Sequence, residues 1–303
     1  MQPVPPAAPV AAPVPGRRPD GRSAIVGSPV GHSLSPVLHR AAYAALGLTG
    51  WRYDVIECVE DELQALLADS APEVVGYSCT MPLKREVVRL ADTLSAEAAA
   101  IGAANTLVRS GAGWHADNTD WIGILAALTE HGAAMSGSVV LLGAGGTAQS
   151  ALAAISSAAS ITALVRDPAR AAELLRTAER LGVTVALGRL PDAGLLRSAD
   201  LVVSTLPAGA ADPLAGHPWR PEQAVLDVIY SPWPTALAAA AQRRGATVVS
   251  GALMLLHQAG RQVELMTGSA APIPAMRAAI AAVVGAAVAA PGPRAPSADP
   301  RPA

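Results

Sequence analysis

Apolar residues fall in short runs along most of the chain. These runs alternate with stretches whose apolar positions recur at helical spacing. Ser23 to Val26, Trp51 to Val55, Val74 to Ser78 and Thr106 to Arg109 read as strands. Pro36 to Leu46, Asp61 to Asp69, Met81 to Arg89 and Ala96 to Ile101 read as helices. A second unit opens where the apolar run Ser138-Val-Val-Leu-Leu142 enters a glycine-rich loop and then a helix, Gln149 to Ser156. Further strands are expected at Ile161 to Val165, Asp200 to Ser204, Ala224 to Ile229 and Ala246 to Val249. This alternation predicts an α/β layer structure. The apolar run Ala278 to Ala290 is too short to span a bilayer and reads as a buried helix.

The loop of the second unit, Gly143-Ala-Gly-Gly-Thr-Ala148, fits Gly-x-Gly-x-x-Ala with a strand before it and a helix after it. Glycines permit the tight turn and let backbone N–H groups approach a pyrophosphate. The helix N-terminus adds partial positive charge. A Gly-rich turn with no ligand is the bland alternative, but the strand rhythm that follows is that of a dinucleotide-binding domain. Gly143, Gly145, Gly146, Thr147 and Ala148 are thus candidate cofactor contacts. The next strand ends in Val165-Arg166-Asp167-Pro168. Arginine here suits the 2′-phosphate of NADP, whereas an acid suits the ribose hydroxyls of NAD. Arg166 can grip a phosphate bidentately, and Arg170 follows one helical turn later. Asp167 also fits as an N-cap with Pro168 at the first helical position, which frees Arg166 and favours NADP, with NAD left open.

The stretch Gly27-Ser-Pro-Val-Gly-His-Ser-Leu-Ser-Pro36 carries two serines just before a helix. Ser35 with Pro36 looks like an N-cap followed by a first-turn proline. A cap needs one hydroxyl, so Ser33 is either turn chemistry or a second hydroxyl offered to a polar ligand. The composition narrows the ligand class. The 303 residues are 51% hydrophobic and 15% charged, which favours globular cores and about two domains at roughly 150 residues each. A net charge of -2 argues against nucleic acid. Cys58 and Cys79 make no disulfide framework and fit a reducing, cytoplasmic setting. The six histidines lack metal-ligand spacing, and Cys79 has no base spaced to activate it. Neither metal nor membrane is expected, and the partner is a small molecule. Residues 1–22 and 291–303, rich in Pro and Ala, read as disordered tails rather than a signal peptide.

Several motifs then fall in one order. They are GSPVGHSLSP, GYSCTMPLK (Gly76 to Lys84), GAANTL (Gly102 to Leu107), ADNTDWIG (Ala116 to Gly123), GAGGTA (Gly143 to Ala148), DVIYSPWPT (Asp227 to Thr235) and GALMLLHQA (Gly251 to Ala259). The series resembles the shikimate dehydrogenase family from about Ser23 to Ala290. The resemblance implies two α/β domains with a cleft between them. One is a discontinuous substrate-binding domain, residues 23–121 plus 251–290; the other is a Rossmann-like dinucleotide-binding domain, residues 122–250. It implies NADPH-dependent, reversible reduction of 3-dehydroshikimate to shikimate, in chorismate and aromatic amino-acid biosynthesis, by a cytoplasmic monomer or homodimer.

The resemblance also implies roles. Ser33 and Ser35 bind the substrate carboxylate, with Tyr230 near it. Ser78, Thr80, Asn105 and Gln258 stand at positions that bind ring hydroxyls. Thr205, Gly251 and Met254 belong to the cofactor site, Met254 packing by the nicotinamide. Lys84 and Asp120 match the catalytic pair. A protonated lysine can stabilise the alkoxide that hydride transfer develops and give it a proton. A nearby carboxylate favours the charged lysine and aims it. Taken alone, the two residues would read as a surface ion pair worth ~0–1 kcal/mol.

The sequence departs from the family pattern at four places. Ser78 stands where Asn is frequent, which implies a shorter or water-mediated contact. Val165-Arg166-Asp167 replaces a common Asn-Arg-Thr and keeps an NAD-dependent quinate/shikimate dehydrogenase in view as the alternative. Arg40 and Ser204 each replace an Asn. A non-catalytic shikimate-binding regulator would be expected to lack Lys84 or Asp120, and both are present.

Overall fold

The computed structural model describes residues 20–288. The expected tails lie outside that range, apart from residues 20–22. The first half runs β1 (Arg22–Gly27), α1 (Ser35–Ala45), β2 (Arg52–Glu57), α2 (Glu60–Ala68), β3 (Val74–Cys79), α3 (Lys84–Leu90), β4 (Thr93–Leu94), α4 (Ala96–Ile101), β5 (Thr106–Ser110), β6 (Gly113–Asp117) and α5 (Asp120–Glu130). The second runs β7 (Ser138–Leu142), α6 (Gly146–Ala154), β8 (Ser160–Val165), α7 (Ala172–Leu181), β9 (Val185–Arg189), β10 (Leu201–Ser204), β11 (Ala224–Asp227), α8 (Ala236–Arg243) and β12 (Thr247–Ser250). Two helices follow, α9 (Gly251–Thr267) and α10 (Ile273–Val284).

The strands form two six-stranded sheets. The first has the order β2-β1-β3-β5-β6-β4, parallel from β2 to β3 and antiparallel at β3/β5 and β5/β6. The second has the order β12-β11-β10-β7-β8-β9 and is parallel throughout. In that sheet the chain winds outward from β7 to β9, then crosses back to β10 and winds the other way. The carboxyl ends of β7 and β10 therefore flank a topological switch point, where open α/β sheets bind ligands.

Both sheets bury both faces, which is why their strands read as continuous apolar runs. Along β1, Ile25 joins one core with Leu38 and Tyr53, while Ala24 and Val26 join another with Leu63, Leu83 and Val87. Along β7, Val139 and Leu141 face one way, and Val140 and Leu142 the other. One core is shared by the two halves. Ile124 and Leu128 of α5 pack with Leu253, Leu256 and Val263 of α9, joining Leu38 to Leu141 and Leu152. Ile124, Leu128 and Leu256 are 0% exposed, and each such burial stabilises by about 1.5–3 kcal/mol. The α5–α9 contact is tightest at Gly123, where an added Cβ would lie 2.5 Å from the Met254 carbonyl oxygen.

A second junction lies between α7 and α4. Thr177 Oγ1 donates to the Ile101 carbonyl at 2.8 Å. Arg180 Nε donates to Ala100 O at 2.7 Å, and its Nη2 donates to Ile101 O at 3.1 Å. A helix of the parallel sheet thus satisfies the terminal carbonyls of a helix from the mixed sheet.

Several expectations shift. Arg22, assigned to the tail, opens β1 and pairs with Asp54 at 2.9 Å, and the Gly21 carbonyl accepts from Arg52 N–H. The expected helix Met81 to Arg89 starts only at Lys84, because Thr80 to Leu83 forms a turn that contains Pro82. The division after residue 121 falls inside α5, one unbroken helix. The expected helix at 278–290 begins earlier, at Ile273, and buries Met276 and Ile280; residues 289 and 290 lie outside the described range. β4, β6 and β9 have no counterpart among the expected strands: β4 is two residues long, Gly-Trp-His-Ala-Asp is short and polar, and β9 is an exposed edge strand. Among the described residues no helix is long and apolar enough to cross a membrane.

Candidate active site

The loop after β1, the end of β3 and the N-termini of α3, α5 and α9 converge on a cavity of about 280 Å³. It is lined by Ser33, Ser35, Ser78, Thr80, Lys84, Asn105, Asp120, Thr147, Tyr230, Gly251, Met254 and Gln258, from both halves of the chain. Residues 225 positions apart in sequence, Ser33 and Gln258, therefore share one space.

Lys84 Nζ donates to Asp120 Oδ2 at 2.6 Å, and their side chains are 20% and 7% exposed. This pair is far less solvated than a surface ion pair, so its mutual attraction is stronger. Each residue begins a helix. A cation at the N-terminus of α3 is disfavoured by the helix dipole, and the Asp120 carboxylate offsets it while suiting the N-terminus of α5. Asn105 Nδ2 donates to the other carboxylate oxygen, Oδ1, at 2.8 Å. The Asn105 amide has one orientation, because its Oδ1 receives the Thr119 backbone N–H at 2.7 Å. Asn105 Nδ2 also lies 3.1 Å from Gln258 Oε1. The Asp120 N–H donates to Asn118 Oδ1 at 3.0 Å. Asp120 is thereby fixed on three sides, with Lys84 directed from the cavity wall.

In the first loop the capping roles are reversed from expectation. The helix begins at Ser35, whose side chain caps nothing; instead Ser33 Oγ accepts the Ser35 backbone N–H at 3.2 Å. Ser33 spends a lone pair on this turn and keeps its proton for a ligand. The loop is tied down by Val30 N–H donating to Glu57 Oε1 at 3.0 Å. Arg40 serves packing: its Nη2 donates to the Tyr53 carbonyl at 2.8 Å, holding β2 against α1.

At the switch point of the parallel sheet, Gly143 has φ +108°, a conformation that favours glycine. Its missing Cβ also leaves room for Thr205 Oγ1, which donates to the Leu142 carbonyl at 2.8 Å. Above Gly145 and Gly146 nothing lies within 4 Å of where a Cβ would stand. The N-terminus of α6 has no side-chain cap, so its N–H groups are available to an anion. This cradle fits a pyrophosphate. Ala148 differs from the rest of its loop, being fully buried in the core, where it allows close packing of helix and strand. Arg166 and Arg170 lie exposed beyond β8 and outside the cavity, and neither forms an ion pair among the described residues. Asp167 Oδ1 accepts the Ala169 N–H at 3.0 Å, capping the short 3-10 turn Pro168–Ala171. Gly251 is required where α9 starts, since a Cβ there would lie 1.9 Å from Val228 O.

Sequence reasoning did not single out Asp227, Asn118, Gln262 or Tyr53. Asp227 takes the Thr235 hydroxyl at 2.8 Å and the Ile229 N–H at 3.3 Å, so it shapes the loop that presents Tyr230. Burial pushes the Asp227 carboxyl above the usual range and raises the Tyr230 hydroxyl likewise. Gln262 lines the cavity one turn beyond Gln258 on α9, and that i,i+4 spacing was the available signal. Cys79 is buried, and burial pushes its thiol up, which suits a core residue rather than a nucleophile. Among the described residues no cluster of His, Cys, Asp and Glu could hold a metal ion.

Fold and site together define a two-domain α/β protein of the dinucleotide-binding class, with a lysine–carboxylate pair in its cavity. The family model described as the shikimate dehydrogenase substrate binding domain matches residues 25–107, and that of the shikimate 5'-dehydrogenase C-terminal domain matches residues 251–281. A shikimate dehydrogenase (NADP(+)) from Halobacterium salinarum is 38% identical over 264 residues, 85% of this chain and 97% of that protein. The chain belongs to the shikimate dehydrogenase family. The crystal structure of Mycobacterium tuberculosis shikimate dehydrogenase is similar at 44% identity and a TM-score of 0.80, covering 87% of this chain and 99% of that one. A shikimate 5-dehydrogenase from Thermus thermophilus, solved in complex with NADP(H) and shikimate, has 31% identity and a TM-score of 0.76, covering 86% and 98%.

Proposed function

We propose that the protein catalyses the reversible NADPH-dependent reduction of 3-dehydroshikimate to shikimate, in the cytoplasm, as a monomer or homodimer. The observation that carries this reading is the partly buried Lys84–Asp120 pair at 2.6 Å, set in a cavity lined from both sheets. The mixed-sheet part, residues 23–121 with 251–290, would hold the substrate; the parallel-sheet part, 122–250, would hold the cofactor; and α5 and α9 tie the two together. Family membership and the dinucleotide cradle support it.

When bound, the nicotinamide supplies the hydride to the substrate carbonyl. Lys84 neutralises the alkoxide oxygen that results and donates a proton to it. Asp120 holds and aims the Lys84 amine, and Asn105 holds Asp120 from its other oxygen. In the oxidative direction Lys84 accepts the hydroxyl proton. Ser33 and Ser35 offer neutral hydroxyls to the substrate carboxylate beside Tyr230. Ser78, Thr80 and Gln258 meet ring hydroxyls. Gly143, Gly145, Gly146 and Thr147 would cradle the pyrophosphate, and Arg166 with Arg170 the 2′-phosphate. The Asp167 carboxylate is engaged with a backbone N–H, which weighs toward NADP over NAD.

The test is a set of initial-rate assays pairing shikimate or quinate with NADP⁺ or NAD⁺. Turnover chiefly with shikimate and NADP⁺ is expected. Preference for quinate with NAD⁺ would move the protein to the catabolic type, and binding without turnover in any pairing would overturn the enzymatic reading.

A further inference from the structure

Gln262 sits at the cavity wall and is 1% exposed. Its Nε2 donates to the Asn105 carbonyl at 3.1 Å and to Thr106 Oγ1 at 3.1 Å. A carbonyl only accepts, so the amide has one orientation, with Oε1 toward Ser78 and His39. Oε1 also only accepts. Ser78 must therefore give it its single proton, at 2.8 Å. The Tyr53 hydroxyl in turn donates to Ser78 Oγ at 2.7 Å.

The same oxygen is 3.2 Å from His39 Nε2, which must carry a hydrogen. Burial pushes the His39 imidazole down to about 4, so the ring is neutral and Nδ1 is a lone pair. Tyr43 OH, 3.3 Å away, donates to it and accepts from Ser23 Oγ at 2.6 Å. Stacking of His39 on Tyr53, with ring centroids 4.1 Å apart, holds both rings in place. Every proton from Ser23 through Tyr43, His39, Gln262 and Ser78 to Tyr53 has one place.

We propose that Gln262 is a positioning residue that makes Ser78 an acceptor-only contact, so that the cavity at position 78 selects a ligand group that donates a hydrogen bond and rejects an acceptor-only group of the same size. Ser78 has one proton and two lone pairs. The proton is committed to Gln262 and one lone pair to Tyr53. The remaining lone pair is all the cavity can meet. A ring hydroxyl can satisfy it; a fluorine, ketone or ether oxygen there faces lone pair against lone pair. This inference rests on the reading of Ser78 as a contact to a shikimate ring hydroxyl.

The experiment measures kcat and KM for shikimate and for analogues in which one ring hydroxyl, other than the one oxidised, is replaced by hydrogen or by fluorine. At one position the fluoro analogue is expected to lose roughly ten- to a hundredfold in kcat/KM, mostly in KM, and to be worse than the deoxy analogue. Gln262→Leu frees the Ser78 proton. In that variant shikimate is used less well, but the fluorine penalty shrinks to a few-fold. Tyr53→Phe leaves the proton on Gln262, so the penalty persists. A fluoro analogue used as well as shikimate at both positions would overturn the proposal, as would a full penalty retained in Gln262→Leu. Should Gln262→Leu fail to fold, the wild-type comparison of fluorine with hydrogen still decides it: fluorine no worse than hydrogen at either position counts against it. Absence of any shikimate oxidation would remove the parent reading and this proposal with it.

Discussion

His39 gives the sharpest stability prediction. It is fully buried, and its ring neighbours are Tyr43 and Tyr53, both kept neutral by burial that raises their hydroxyls. Its hydrogen-bond partners, Gln262 and Tyr43, carry no charge that could support an imidazolium. Burial moves it from 6.5 to about 4 in the folded protein. The unfolded chain therefore binds a proton here that the folded chain refuses, and stability falls as pH falls from near 6.5 toward 4. At about 1.4 kcal/mol per unit, the loss reaches about 3 kcal/mol by pH 4, of which about 2 kcal/mol has gone by pH 5. The perturbation is His39→Gln, which keeps a neutral donor near Gln262 Oε1 but cannot titrate. Urea unfolding followed by tryptophan fluorescence at pH 7, 6, 5 and 4 gives the two stability curves, and their difference cancels the carboxylates common to both. The variant is expected to start roughly 1–2 kcal/mol less stable at pH 7, through lost ring contact, to close that gap by about pH 5 and to be the more stable of the two by about pH 4. Parallel curves over the whole range would refute the assignment of a neutral, proton-refusing His39.

Other outcomes follow from the site. Lys84→Ala should lower kcat at least ~100-fold with a modest change in KM, because the proposed proton donor is lost while the other groups lining the cavity remain; an unchanged kcat removes it from the mechanism. Asp120→Asn should also act mainly on kcat, with far-ultraviolet circular dichroism unchanged; a pure KM effect would make Asp120 a binding group only. Gly123→Ala must push α9 away by its contact with Met254 O, separating Gln258 from Asn105, and should cost about 1–3 kcal/mol in thermal stability together with a raised substrate KM; wild-type melting and KM would contradict the tight helix contact. Arg166→Ala should raise KM for NADPH far more than for NADH, and equal effects on both would assign the 2′-phosphate elsewhere.

Much of this could be read in advance, and the parts that could not have identifiable causes. Strands buried on both faces announced themselves because Val139 to Leu142 or Val202 and Val203 have no polar alternation to blur them. The glycine loop was legible because Gly143 needs a backbone conformation that other residues avoid. Lys84, Asp120 and Asn105 could be named only through the resemblance of their motifs to a family, and that they bond to one another depends on chain crossings no local pattern encodes. The short polar strand β6 hid behind Trp114 and His115, and β9 behind its exposure. The start of α3 was misplaced because Pro82 suits either a first turn or the turn before a helix. Gln262 and Tyr53 stayed invisible for another reason. A glutamine on a helix and a tyrosine in a strand look ordinary until the opposing carbonyl of Asn105 dictates which way the amide must point.

The junction of α7 with α4 bears on how such enzymes can be recombined. Arg180 and Thr177 close the end of a helix that leads directly, through Gly102 to Ala104, into Asn105. A chimera that grafts another nucleotide-binding module onto this substrate half would inherit a helix end with bare carbonyls unless the incoming module carried an equivalent donor in the same place. The module boundary that matters for grafting is therefore this side-chain clasp, and a graft that respects it should preserve the geometry around Asn105.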